Sequence, residues 1–360
     1  MASPRIESHA FPRSWDELIG HERIRTAIAT AITKRRLGGS LLFVGPPGVG
    51  KTAAALLLAQ TILCRRNSSS DMNPCGQCPD CAQVRAATHP DLIQVSKPVD
   101  RTLIPLEALI GPVEARLQQG FCHDVHMRPM QGERKVAILH DADFLNEEGA
   151  NCLLKTLEEP PSDAVIVLIG TSEQRQLPTI RSRCQTMRFN SPVGAEGREL
   201  LRGHLVRMTE EGETPPALSD AALDEAIELA AGDMQVAARL ASGQSGEIRG
   251  KLLAQLDTPI PDPVIVARCI NDHLNEISKK EAPLRRAALR DLCSIAVQHY
   301  RSSLRESARQ GRFDNDCAHR LDRTLRVFRE IDRSANLSTL IDCYAADLTL
   351  ATTGDRGAIG

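Results

Sequence analysis

Through the first half of the chain, short apolar runs alternate with segments of helical period. Leu41-Leu42-Phe43-Val44 is an apolar run that enters a Gly/Pro-rich turn, and the segment Lys51 to Leu63 after it favours helix. Leu92 to Val95, Val136 to Leu139, Val165 to Ile169 and Thr186 to Phe189 read as further strands, with helices predicted over Pro105 to Gln118 and Glu147 to Glu159. The last of these begins at Asn146, a good N-cap followed by two glutamates, and stops before Pro160-Pro161. Strand and helix in alternation predict an α/β domain on a parallel sheet covered on both faces. After Ser191-Pro192 the strand signals fade. Ala217 to Ala241 reads as two short helices split at Gly232, and Ser242 to Gly246 is a plausible boundary loop. From Lys251 to about Leu350 the pattern is helical throughout, with Leu321, Leu325, Phe328 and Ile331 at helical spacing on one expected apolar face. The predicted division is an α/β domain over 1–191, a small helical domain over 192–246, an all-α domain over 247–350 and a disordered tail over 351–360.

Composition changes this picture little. At 360 residues, 42% hydrophobic and 25% charged, the chain has room for two or three domains with cores of their own. A net charge of −2 gives no overall cationic field, so any nucleic-acid contact must be local or borrowed from partner subunits. The first fifteen residues lack an apolar secretion segment, and the longest apolar runs, Ala53 to Leu63 and Ala164 to Gly170, fall short of the roughly 18 residues a bilayer crossing requires. A soluble, cytoplasmic protein without membrane contact is expected. In that setting eleven cysteines point to metal binding or incidental core use rather than disulfides.

The strongest chemical signal is Gly45-Pro46-Pro47-Gly48-Val49-Gly50-Lys51-Thr52, a complete P-loop between a strand and a helix. Its glycines let successive backbone N–H groups curl around an anion, Lys51 supplies a point charge for the outer phosphates, and the Thr52 hydroxyl can ligate Mg²⁺. Next come Cys64, Cys75, Cys78 and Cys81, with ten, two and two residues between them. Four thiolates so spaced can surround one structural Zn²⁺, with Pro74, Gly76 and Pro79 turning the loop around it; such a closed site leaves no open position for catalysis. The alternative is four unrelated buried cysteines, like the seven scattered elsewhere.

Val136-Ala137-Ile138-Leu139-His140-Asp141-Ala142-Asp143 places a strand before a partly acidic turn. An ATPase of this layout needs an acidic pair there, but His140 holds the first position and Asp141 the second. Imidazole is a poor partner for a hard cation, so hydrolysis is in doubt while binding is not; Asp143 is a possible substitute. Ser182-Arg183-Cys184 offers an arginine that could bind a phosphate bidentately across a subunit boundary, although surface arginines are common. From Lys279 to Arg333 there are 14 Lys/Arg against 8 Asp/Glu. Arg320, Arg323, Arg326 and Arg329 are expected on one face of a helix, read as a solvated amphipathic helix in preference to a DNA or partner stripe.

Together these residues resemble the bacterial DNA polymerase III clamp-loader family, meaning its delta-prime and tau/gamma subunits, over roughly Trp15 to Phe189. Asn151-Cys152-Leu153-Leu154-Lys155-Thr156-Leu157-Glu158-Glu159-Pro160-Pro161 is close to the family's Asn-Ala-Leu-Leu-Lys-Thr-Leu-Glu-Glu-Pro-Pro signature, and Leu177-Pro178-Thr179-Ile180-Arg181-Ser182-Arg183-Cys184-Gln185 is nearly as specific. Ile19-Gly20-His21-Glu22 resembles the Ile-Gly-Gln-Glu segment near the adenine pocket, and the cysteine spacing also fits. The resemblance implies a RecA-like AAA+ domain with a zinc module (64–81), a helical lid and a helical collar that assembles a five-subunit ring. It implies that Lys51 and Thr52 hold ATP or ADP with Mg²⁺, with Asp141 nearby, that Thr171 or Ser172 is the polar sensor, and that Arg183 is an arginine finger reaching a neighbour's ATP. The implied partners are tau/gamma and delta subunits, the sliding clamp, and primed DNA through the complex.

His140-Asp141 stands where motor subunits carry Asp-Glu, Gln235 stands where their lid usually carries a sensor Arg, and no long extension follows the predicted collar. These departures favour the delta-prime type over tau/gamma. The competing reading is an active AAA+ motor. A small-molecule kinase is a weak third, because it would have no use for Ser182-Arg183-Cys184 or for the C-terminal helices.

Overall fold

The computed structural model describes residues 14–34, 39–98, 101–208, 218–230, 232–242, 246–278, 281–332 and 336–350. The predicted tail over 351–360 and the middle of the 242–246 loop lie outside these residues. Two compact units divide between Gly203 and His204.

The first unit runs α1 (Glu22–Thr33), β1 (Gly39–Val44), α2 (Lys51–Leu63), α3 (Pro79–Arg85), β2 (Leu92–Val95), α4 (Leu106–Ile110), α5 (Phe121–His126), β3 (Lys135–Leu139), α6 (Glu147–Glu158), β4 (Ala164–Gly170), α7 (Pro178–Arg181) and β5 (Cys184–Arg188), and α8 (Gly194–Met208) follows. The five strands form one parallel sheet in the order β2-β3-β4-β1-β5. Every residue of β3 and β4 is buried, which is why these strands read as unbroken apolar runs rather than alternating ones. Helix α2 is buried on nearly all sides and packs against β3 and β4. Leu153 and Leu157 of α6 join Leu42, Leu139, Ile166 and Leu168 in a core that includes the other face of the sheet. Asn146 caps α6 by accepting from the Gly149 N–H at 2.8 Å.

Two features of this unit differ from the sequence reading. Of the predicted Pro105–Gln118 helix, Leu106–Ile110 forms as α-helix and Val113–Ala115 as a single 3₁₀ turn. Gly111 adopts φ +83° and is followed by Pro112, which has no N–H to continue the ladder, so the chain leaves the helix there. The last strand starts at Cys184, two residues early, because Ser40↔Cys184 pairing begins its register with β1; Phe189 still donates its N–H to Val44 O at 2.7 Å.

The second unit holds α9 (Asp220–Leu229), α10 (Met234–Ala241), α11 (Gly246–Leu256), α12 (Pro263–Ile277), α13 (Ala282–Arg309), α14 (Asn315–Asp332) and α15 (Leu337–Leu350). Helix α13 packs on α14, α12 and α9, and α15 packs on α12 and α14. Arg239 of α10 grips the buried Asp291 of α13, with Nη2 2.6 Å from Oδ1 and Nε on Oδ2. The segments expected as separate lid and collar therefore share one unit. In α14 the buried line is Arg320, Thr324, Val327 and Ile331, while Leu325 is 46% exposed. A step of three residues rotates about 60° backwards on a helix of 3.6 residues per turn, so the four arginines spread around α14 instead of forming a stripe. Arg320 is buried and donates to Thr258 O and Pro259 O, and Arg323 pairs with Asp347 and Glu330. Among the described residues no helix is long and apolar enough to cross a membrane.

Candidate functional site

Parallel register brings the carboxyl ends of β1, β3 and β4 to one edge, where Val44 pairs with Gly170 and Leu139 with Leu168. Open parallel sheets bind ligands at that edge, and the P-loop leaves it directly. Gly45 cannot be replaced cheaply, since a Cβ there would lie 2.1 Å from Phe189 O. Gly50 ends the loop in the left-handed region and caps α2, leaving the first N–H groups of that helix toward the loop. The Lys51 ammonium folds back into the loop and donates to Gly45 O at 2.5 Å and Pro46 O at 2.6 Å. Thr52 is the second residue of α2.

The loop is held from behind by the segment before α1. The buried His21 ring lies 2.6 Å from Val49 O and edge-on to Phe189. Burial, and more weakly Lys51, pull its pKa down against the Val49 carbonyl and Glu196. Trp15 donates its indole N–H to Thr61 Oγ1 at 2.9 Å, fixing the segment to α2. Beside it lies an open cleft of about 660 Å³ lined by Trp15, Leu18, Ile19, Gly20, His21 and Arg188.

The acidic edge is built differently from a metal-binding pair. His140 is buried at the end of β3, faces Gln94 Oε1 at 3.1 Å, and is held neutral by burial, its pKa falling to about 4. Asp141 adopts the left-handed conformation (φ 56°) and accepts the Lys97 N–H at 3.3 Å. Asp143, the suggested substitute, is otherwise engaged: one carboxylate oxygen accepts the Thr171 N–H at 2.8 Å and the other accepts from Gln176 Nε2. It thereby positions the turn after β4. A Cβ at Gly170 would come within 2.3 Å of Gln176 Nε2 and 2.8 Å of Asp143 Oδ1, so a side chain there would push this pair aside. The His140 position therefore fits Mg²⁺ poorly, while the P-loop fits a polyphosphate.

The four cysteines do converge. Their sulfurs all lie within 4.8 Å of one another, with Cys64–Cys78 and Cys75–Cys81 at 4.0 Å. A zinc ion with four thiolates at about 2.3 Å needs sulfurs roughly 3.8 Å apart, so the cluster fits one. The N–H groups of Asn67, Cys78 and Cys81 donate to the sulfurs of Cys64, Cys75 and Cys78. Against the upward push of burial, the amides of Gln77 and Cys78 and the adjacent thiols bring the Cys75 thiol down to about 6. Pro79 was expected to turn the loop; it instead opens α3, whose N-cap is Cys78. Asp80, between two of the cysteines, is buried and meets Arg65 at 3.0 Å, His89 at 3.5 Å and Gln131 Nε2 at 3.3 Å. Asp91 accepts the successive N–H groups of Met130, Gln131 and Gly132. These two aspartates tie the cysteine loop to the sheet.

Arg183 lies in the turn from α7 into β5. Its Nε donates to Glu158 Oε1 at 2.5 Å, Nη2 contacts the same oxygen, and Nη1 donates to Thr179 O at 3.0 Å and Ser182 Oγ at 3.1 Å. The two signature segments thus meet in one ion pair. The sequence reading gave no role to Glu158, Gln94 or Gln176; Glu158 stood in the quoted signature, an acid at a helix C-terminus where the helix dipole disfavours one.

A P-loop after the strand that lies between β4 and β5, in a five-stranded parallel sheet of order β2-β3-β4-β1-β5, defines a RecA-like AAA+ nucleotide-binding domain. The family model described as "DNA polymerase III, delta subunit" matches residues 20–193. The chain is 36% identical over 199 residues to the DNA polymerase III subunit delta' of Pseudomonas aeruginosa, covering 55% of this chain and 54% of that protein. It is 32% identical over 201 residues to the delta' subunit of Bacillus subtilis (54% and 57%) and 29% identical over 248 residues to the tau subunit of Salmonella typhimurium (66% and 36%). The family model covers just under half of the chain, and over that segment the chain is similar to clamp-loader subunits of DNA polymerase III. The matches span between about a third and just over half the length of these relatives. Among solved structures, a DNA polymerase III gamma subunit-related protein of Thermotoga maritima aligns with a TM-score of 0.43 at 18% identity, over 92% of this chain and 98% of that one.

Proposed function

We propose that the chain is a delta-prime-type subunit of a cytoplasmic DNA polymerase III clamp loader. In this reading it binds ATP or ADP with Mg²⁺ through the P-loop, Lys51 and Thr52, turns it over negligibly, and lends Arg183 to a neighbouring motor subunit. The 64–81 module carries structural zinc, α9 and α10 belong to a lid, and the later helices form a collar. Tau/gamma and delta subunits are the direct partners; the sliding clamp and primed DNA are reached through the assembled ring. The observation that carries the proposal is the mismatch within one site: an intact phosphate loop faces a buried neutral His140, and Asp143 is spent on Thr171 and Gln176. The second reading, an active AAA+ motor, would rely on Asp141, the acid just after the carboxyl end of β3.

Purified chain separates the two. The proposed role gives nucleotide binding that Lys51→Ala abolishes, with negligible turnover by the isolated protein. Robust turnover that Lys51→Ala removes would establish the motor reading. In a ring reconstituted with tau/gamma and delta subunits and primed DNA, Arg183→Ala should lower ATP turnover and clamp loading. An arginine finger contributes about 10³–10⁵ in rate at its own site, and the motor subunits retain theirs, so the loss is partial. Loading at the wild-type rate removes the trans-acting role.

A further inference from the structure

Arg183 and Glu158 form an ion pair that joins the turn before β5 to the end of α6. Arg183 carries five N–H groups. Four are engaged inside its own chain: Nε and one Nη2 on Glu158 Oε1, and two from Nη1 on Thr179 O and Ser182 Oγ. A phosphate taken bidentately needs two N–H groups in one plane, and only one remains. The Glu158 oxygen occupies the Nε/Nη2 edge, one of the edges through which a guanidinium forks an oxyanion. Glu158 is also the last residue of α6, where the partial negative charge of the helix end opposes a carboxylate. The pair therefore holds an otherwise unfavoured anion against the guanidinium, at a surface where both side chains keep partial exposure.

We infer that Glu158 is the positioning residue of Arg183: its carboxylate holds the guanidinium in the isolated chain, and the phosphate of a partner-bound nucleotide displaces it when the subunits meet. The exchange swaps one oxyanion for another on the same fork, and Thr179 O and Ser182 Oγ keep Nη1 oriented throughout. This inference rests on the trans-acting reading of Arg183. Removing the carboxylate should leave the guanidinium available before docking, so less of this chain is needed to activate its neighbour.

Two measurements on the full chain and its reconstituted ring separate the inference from the reading beneath it. In ¹⁵N-edited spectra of the isolated chain, the Arg183 Hε signal, assigned with Arg183→Lys, should exchange with water at least about ten-fold faster in Glu158→Gln. Equal exchange shows that no such grip exists. In the ring, Glu158→Gln should lower the concentration of this chain that half-saturates ATP turnover by about two- to five-fold, the range an exposed ion pair can supply. Glu158→Asp should restore part of the difference, and Arg183→Ala should erase it. An unchanged or raised half-saturation overturns the exchange even if Arg183→Ala lowers turnover. A silent Arg183→Ala with Glu158-dependent Hε exchange instead removes the trans reading, and the exchange with it, leaving an ordinary intrachain pair.

Discussion

At His140, burial decides protonation. Burial drives the shift: the imidazole lies against Gln94, and its pKa drops from the ordinary 6.5 to about 4. The unfolded chain binds a proton there below pH 6.5 and the folded chain does not, so the contribution to stability is complete above 6.5 and is lost as pH falls toward 4. The loss is on the order of 3 kcal/mol across that window. Urea unfolding at pH 7 and pH 5 should show about 2 kcal/mol of it, and His140→Gln should flatten the pH dependence attributable to this site. Asp143 gives a second test. Asp143→Asn presents at least one donor to a place where the Thr171 and Gln176 N–H groups both need acceptors, and one unsatisfied buried donor costs about 1–3 kcal/mol. Chemical denaturation measures that loss, and slowed or weakened nucleotide binding would show that the turn after β4 had moved.

Among the elements, α3 allows a clean test of the metal. Cys78 is both a proposed zinc ligand and the N-cap of α3, its sulfur accepting the Cys81 N–H at 3.4 Å. Serine is a preferred N-cap, so Cys78→Ser keeps the helix start and removes only the thiolate. Elemental analysis should give about one zinc per wild-type chain and little in the variant, with lower stability of the first unit. Metal-free wild-type protein of undiminished stability would rule out the zinc module. Elements with an internal period or a strong cap, such as Lys51 to Leu63 and the helix behind Asn146, were legible in the sequence. So was the cysteine cluster, because its ligands are close along the chain. The break at Gly111-Pro112 was written in the residues but overruled in the reading by the helical period around it. The commitment of Asp143 to Thr171 and Gln176, and the grip of Glu158 on Arg183, join segments at least 25 residues apart; no local pattern carries such contacts. The arginines of α14 were misplaced because a spacing of three was taken for a single helical face.

For the whole molecule, two units with separate cores imply that a stabiliser of one need not protect the other. Nucleotide at about 100 times its Kd should add about 2.7 kcal/mol to the first unit only. Arg239→Ala should weaken only the second, by about 2 kcal/mol once the partial exposure of Arg239 is discounted, because it strips the buried Asp291 of its partner. Calorimetry with and without nucleotide would resolve the two effects; a single transition moved equally by both would show that the units unfold together. Strand order has a consequence of another kind, in the timing of synthesis. β1 is made first, but its neighbours are β4 and β5, and β4 begins at Ala164, about 120 residues after Val44. At about 5–20 residues per second, Leu41-Leu42-Phe43-Val44 waits roughly 6–24 seconds on the ribosome before either flanking strand exists. The cysteine loop closes within 18 residues and can be complete long before then. The phosphate loop hangs from the earliest strand, yet it is among the last parts of the domain that a growing chain can enclose.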